Sequence, residues 1–151
     1  MSKGPGFFGT TLNVLRTARR WMFSKGDIHV EAAKGNLASV EALLTQNPKL
    51  VSLVDKMDYG TPLHWAAMYG QHEVCELLIE HGADLNSVDD LGLSPLRWAV
   101  DGSEAGVVQL LLDRGADVNL KDAEGITPLR RAVVKKRDEI ATLLREHGAK
   151  E

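Results

Sequence analysis

The chain has one cysteine, Cys75, so no disulfide can close within it. That suits a reducing compartment, and a cytoplasmic location is the first expectation. No apolar run approaches the roughly 20 residues that span a bilayer, and no secretory apolar segment stands near the start. Acid is missing from residues 1–26, which hold Lys3, Arg16, Arg19, Arg20 and Lys25 for a charge of +5. Since the whole chain carries −3, residues 27–151 carry −8. An acidic body lacks the clustered Lys and Arg that phosphate contacts require, so no nucleic-acid partner is expected.

Signatures of chemistry are also missing. The five histidines, His29, His64, His72, His81 and His147, form no HExxH and no other metal spacing. Gly4-Pro5-Gly6 is not a strand-to-helix phosphate loop, and no serine sits in a nucleophile elbow. Asp89-Asp90 is expected at a water-exposed turn tip, where nothing would perturb its pKa. Cys75 lies within Val74-Cys75-Glu76-Leu77-Leu78 and reads as a small buried hydrophobe. No catalytic residue, cofactor or metal is therefore expected, and the chain reads as a non-enzyme.

What is present is repetition. Thr61-Pro62-Leu63-His64-Trp65-Ala66 returns as Ser94-Pro95-Leu96-Arg97-Trp98-Ala99 and as Thr127-Pro128-Leu129-Arg130-Arg131-Ala132, a step of 33 residues each time. Gly82-Ala83-Asp84, Gly115-Ala116-Asp117 and Gly148-Ala149-Lys150 keep the same step. Two markers at one such period predict a stack of small helical units. Thr61 can cap a helix opened by Pro62, since the first turn has no use for the missing N–H. That helix stops near Gly70, and a second presents Val74, Leu77 and Leu78 on one face before Gly82. Val107, Leu110 and Leu111, then Ile140, Leu143 and Leu144, repeat the second-helix pattern. Upstream, Val40, Leu43 and Leu44 mark a degenerate first unit without the Thr-Pro-Leu-His signal, as a terminal unit with one face in water should be.

These motifs, with the Gly-Ala-Asp-x-Asn segments at Gly82–Asn86 and Gly115–Asn119, resemble the ankyrin repeat family over residues 27–150. The resemblance implies a mainly α solenoid of about four helix-turn-helix units joined by β-hairpin loops, with approximate units 27–55, 56–88, 89–121 and 122–151. It implies non-catalytic protein binding, as an adaptor or scaffold, through a concave groove and the hairpin tips. It also implies that His64 ties turn to helix, whereas Arg97 and Arg130 depart from that pattern. Asp58-Tyr59-Gly60 sets its glycine one place later than Gly92 and Gly125, so that hairpin is expected to be distorted.

In stacks of this kind the residue three after the motif proline faces the groove, which selects Trp65, Trp98 and Arg131. Later first-helix positions add Met68, Tyr69, Asp101, Val134 and Lys135, and the tips add Met57, Asp58, Asp90 and Leu91. Trp, Tyr, Met and Arg are enriched at the energetic centres of interfaces, which favours a protein-binding face. The competing reading is that Trp65 and Trp98 pack on each other as an internal ladder.

The N-terminal arm, residues 1–26, is the second feature. At about 100° per residue, Val14, Leu15, Ala18, Trp21 and Met22 share one side of a helix within residues 12–24, and Arg16, Arg19 and Arg20 share the other. Three readings stand for this basic amphipathic helix: a cap docked on the repeats, a segment for a partner or membrane surface, and a targeting segment for a mitochondrion or other organelle. A membrane contact is expected only through this arm. The alternatives to an adaptor are an accessory subunit that the arm anchors in a larger complex, and a protein regulator or inhibitor of an enzyme.

Overall fold

The computed structural model describes residues 26–151, within which four helix pairs stack side by side. The pairs are α1 (Ile28–Lys34) with α2 (Leu37–Gln46), α3 (Pro62–Met68) with α4 (His72–Glu80), α5 (Pro95–Gly102) with α6 (Ala105–Asp113), and α7 (Pro128–Val134) with α8 (Asp138–Glu146). A 3-10 turn at Pro48–Ser52 follows α2. First helices pack on first helices, from α1 through α3 and α5 to α7, and second helices form the layer behind them. The amphipathic helix expected in the arm, with Val14, Leu15, Arg16, Arg19, Arg20, Trp21 and Met22, lies outside the described residues.

The local sequence explains each helix. Pro62, Pro95 and Pro128 open α3, α5 and α7. Ser94 Oγ accepts from the Arg97 N–H at 3.2 Å, and Thr127 Oγ1 accepts from the Arg130 N–H at 3.2 Å, so each hydroxyl satisfies one orphan donor of its helix. Gly82, Gly115 and Gly148 end the second helices at φ of 88°, 94° and 85°, a left-handed backbone that favours glycine. The Gly-Ala-Asp-x-Asn segments stitch the units together. Asn86 Oδ1 accepts from the Asp117 N–H of the next unit at 2.8 Å, and Asn119 Oδ1 accepts from the Lys150 N–H at 2.9 Å.

The main core runs between the two helix layers. Leu44, Leu63, Leu78, Leu96, Leu111, Leu129 and Leu144 are fully buried and form one continuous apolar cluster with Cys75. Burial pushes the Cys75 thiol up to about 12, so it packs as a hydrophobe. Each unit thus buries its apolar face against its neighbours, as a stack must.

The connections between units differ from ladder-bearing hairpins. Among the described residues there is no strand. Each loop is closed at its base by a backbone bond: Asp55 N–H to the Gly60 carbonyl at 3.0 Å, Asp89 N–H to that of Leu93 at 3.1 Å, and Asp122 N–H to that of Ile126 at 3.1 Å. The next backbone groups go to the aspartate side chains instead, so no ladder extends outward.

Candidate functional site: the aspartate-anchored turns and the concave face

Three aspartates organise the turns. Asp55 accepts from the N–H groups of Met57 and Asp58 at 2.8 Å each, from that of Gly60 at 3.1 Å, and from the Trp65 indole N–H at 2.9 Å. Asp89 accepts from Leu91 and Leu93 at 2.9 Å each and from the Trp98 indole at 2.8 Å. Asp122 accepts from Glu124 and Ile126 at 2.9 Å each and from an Arg97 guanidinium N–H at 3.0 Å. A carboxylate that receives several N–H donors replaces a turn's missing ladder bonds and fixes its shape. These three were missed in the sequence, although Asp89-x-x-Gly92 and Asp122-x-x-Gly125 keep the step of 33. Asp55 breaks it because its loop is one residue longer, and Tyr59 takes the left-handed position there at φ 56° while Gly92 and Gly125 take it later.

The expectation that Trp65 and Trp98 line a binding surface is corrected. Trp98 is fully buried and Trp65 is 5% exposed. Their rings meet edge to face at 5.3 Å, and Trp65 stacks over Tyr69 at 6.4 Å. Both indoles hydrogen-bond the carboxylate hubs, so their polar atoms and faces are engaged inside the protein. Gly60 is required beside them: a Cβ there would lie 2.9 Å from a Trp98 ring carbon. The internal ladder is the role these tryptophans take.

His64 couples the second unit to the third. Its Nδ1 accepts from the Thr61 backbone N–H at 3.0 Å, so its Nε2 carries the proton donated to the Leu93 carbonyl at 2.9 Å. Burial holds its pKa down at about 4, which keeps the ring neutral. Arg97, at the equivalent position, reaches across to Asp122 of the fourth unit. The departure from histidine therefore keeps the cross-unit link and changes its chemistry from neutral to ionic.

Beyond the ladder, the expected residues separate into two groups. Asp101 and Arg131 face each other across units with Arg131 Nε donating at 2.6 Å, and Arg97 Nε lies 3.6 Å from the same carboxylate. Both are partly buried and serve the stack. Met57 and Val134 are 56% and 66% exposed, Lys135 and Asp90 are exposed, and Asp58, Met68, Tyr69 and Leu91 are half-buried. Asp58 is pushed up to about 6, first by burial and then by Asp55, Asp90 and Asp89. Asp89 is buried rather than exposed, and burial pushes its carboxyl up against the pull of its hydrogen bonds. The third tip is thus acidic, with Asp89 and Asp90, whereas Lys56 stands beside Asp58 at the second, Lys121 flanks Asp122 and Glu124 at the fourth, and the end of α7 carries Lys135, Lys136 and Arg137. Among the described residues no group of three or more His, Cys, Asp or Glu could hold a metal ion, and no helix is long and apolar enough to cross a membrane.

Stacked helix pairs, aspartate turns and the cross-unit histidine agree with the comparison against known families, where the model for ankyrin repeats in three copies matches residues 28–122. The chain belongs to the ankyrin repeat family. As an ankyrin repeat protein it is of a kind that binds other proteins and is generally non-catalytic. It is 37% identical over 63 residues to the palmitoyltransferase akr1 of Schizosaccharomyces pombe, covering 42% of this chain and 10% of that protein. It is 39% identical over 64 residues to the E3 ubiquitin-protein ligase XBAT32 of Arabidopsis thaliana, covering 42% and 13%. With protein phosphatase 1 regulatory subunit 12A of Mus musculus it shares 36% over 91 residues, covering 52% and 9%. The chain spans about a tenth of the length of these relatives.

Proposed function

We propose that this chain is a non-catalytic adaptor or scaffold that holds a partner protein on its concave face and turn tips. The contact residues are Met57, Asp58, Met68, Tyr69, Asp90, Leu91, Val134 and Lys135. Trp65 and Trp98 stiffen the face from behind, and the Asp101–Arg131 pair braces it. The observation that carries the reading is the rigidity of the tips. Three carboxylate hubs hold them, so a partner meets a preformed surface and little ordering entropy is lost on binding. Acid at the third tip, with Asp89 and Asp90, and base at the end of α7, with Lys135, Lys136 and Arg137, give the face a polarity, which favours a partner segment of opposite charge order.

A second reading, regulation of an enzyme by the same face, is favoured by the resemblance to a phosphatase regulatory subunit across 52% of this chain. It differs from the first only in what the bound partner does. The test is co-purification with mass spectrometry on four forms: the natural chain, Met57→Glu, Val134→Glu, and Glu80→Lys on α4 as a control. Loss of a central contact costs about 2 kcal/mol or more, roughly thirtyfold in affinity. A partner kept by the control and lost with either groove variant is the expected result. A partner held equally by all four overturns the groove reading.

A further inference from the structure

The residue before each closing glycine of a second helix keeps the step of 33: His81, Arg114 and His147. In the third and fourth units it reaches back to the unit before. Arg114 Nη2 lies 3.4 Å from Glu76 on α4. His147 Nε2 lies 3.3 Å from Asp113 Oδ1 at the end of α6, and its Nδ1 lies 2.9 Å from the Leu143 carbonyl of its own helix. The fourth unit thus places a group that can lose its charge where the third has one that cannot.

Both ring nitrogens of His147 face acceptors. A neutral imidazole carries one N–H, so either tautomer turns a lone pair on a carboxylate or on a carbonyl, and only the imidazolium donates to both. His64 is the contrast: its Nδ1 meets a donor, the Thr61 N–H, and the neutral ring satisfies both sides. The carboxylate is already in place, because Gln109 Nε2 donates to the same Asp113 oxygen at 2.7 Å. The surrounding groups favour the cation. The Leu143 carbonyl raises the ring above its ordinary 6.5 most; burial takes back part of the rise, and Asp113 of α6 and Glu146 of α8 add to it. Of the cations next to this pair in sequence, Arg114 is engaged with Glu76, Arg145 with Glu151, and Lys150 is exposed.

We propose that His147 is a pH-operated latch between the third and fourth units, closed onto Asp113 when its ring is charged and released when the ring is neutral. It holds the closing turn of α8, where the N–H groups of Gly148 and Ala149 bond to the Arg145 and Leu144 carbonyls. Asn119 of the third unit, which takes the Lys150 N–H, is the neighbouring tie. The ring binds its proton more tightly in the fold than in the unfolded chain. Closure is therefore complete below pH 6.5 and is lost as pH rises through the higher folded value. His64, between the second and third units, works in the opposite sense: acid loosens that joint and tightens this one. The latch stands whether or not the groove binds a partner.

The test is amide exchange with solvent, followed by NMR on the full chain at pH 6 and pH 8 and corrected for the intrinsic rate at each pH. In the natural chain the protection of the Gly148 and Ala149 N–H groups falls roughly threefold from pH 6 to pH 8, the size expected of a partly exposed ion pair. His147→Gln, which is always neutral, shows the lower protection at both values, and Asp113→Asn loses most of the fall. Equal protection at the two pH values in the natural chain overturns the proposal. So does a fall kept in full by Asp113→Asn, which assigns it to the end of α8 alone. A fall of the same size at the Ala116 N–H, the equivalent group beside Arg114, marks a general effect of pH and also overturns it. Titration of the His147 ring resonances gives an independent readout. Its midpoint stands above 6.5 in the natural chain and moves down in Asp113→Asn, and an unmoved midpoint contradicts the latch.

Discussion

In the second unit a neutral histidine, His64, stands three residues after the capping Thr61; in the third unit Arg97 stands three residues after Ser94. Both side chains are buried and both reach the following unit. The histidine satisfies both ring nitrogens within the protein and needs no counter-charge. The arginine buries a full charge against Asp122, and its Nε and Nη2 make no hydrogen bond. One backbone slot thus supports two kinds of coupling. The neutral one is sensitive to acid, and the ionic one is sensitive to loss of its partner.

The largest effect should come from breaking the ionic coupling. Asp122→Ala leaves the buried Arg97 charge with only the more distant Asp101 carboxylate, 3.6 Å from its Nε, and removes a turn hub, so it should cost about 3–5 kcal/mol. Asp89→Ala strands only neutral donors and should cost about 1–3 kcal/mol. Denaturant melts of the two variants would order them, and an Asp89→Ala cost equal to that of Asp122→Ala would erase the distinction.

The neutral coupling should fail in acid. His64 titrates at about 4 in the fold against 6.5 when unfolded, so the unfolded chain binds more protons between those values. Its contribution is complete above pH 6.5 and is lost as pH falls towards 4, at most about 3 kcal/mol. Asp58 works in the opposite direction: titrating at about 6 in the fold against 3.8 otherwise, it favours folding as pH falls through that window. Asp58→Asn should therefore steepen the acid loss. An NMR titration placing His64 near 6.5 would contradict the neutral assignment.

The helix ends extend the comparison. Gly70 closes α3 at φ 69°, where Glu104 of the next unit crowds the space a Cβ would take. Ser103 and Lys136 hold the equivalent ends at φ 62° and 56° without glycine. Ser103→Gly and Lys136→Gly should each stabilise by about 1 kcal/mol, since a left-handed backbone penalises any Cβ. Thermal melts check this, and a fall in melting temperature for both would refute it. Smallest of all, Val134→Ser should change stability by less than about 0.5 kcal/mol because its side chain is exposed. A loss of 2 kcal/mol or more in a denaturant melt would show that Val134 belongs to the core.

Much of this fold could be read in the sequence. The period, the capping Thr or Ser before proline, and the glycines after each second helix gave the helix pairs, because each marker has a local cause in capping or left-handed geometry. The site was less legible. Position along the first helix assigned Trp65 and Trp98 to the groove face, but it cannot tell a side chain that points outward from one drawn inward by a carboxylate. The deciding partners, Asp55 and Asp89, lie 10 and 9 residues upstream in loops of different length. Tyr59 was hidden for the same reason: the extra residue shifts it into a place that glycine fills elsewhere.

A double-mutant cycle between Arg97→His and Asp122→Asn tests most directly the claim that each unit is tied to the next through this slot. Unfolding free energies of the natural chain, both single variants and the pair are required. The account predicts that Asp122→Asn costs far less once Arg97 is histidine, with a coupling of about 2–3 kcal/mol between contacting charged residues. Costs that add to within about 0.5 kcal/mol, as independent sites do, would contradict it.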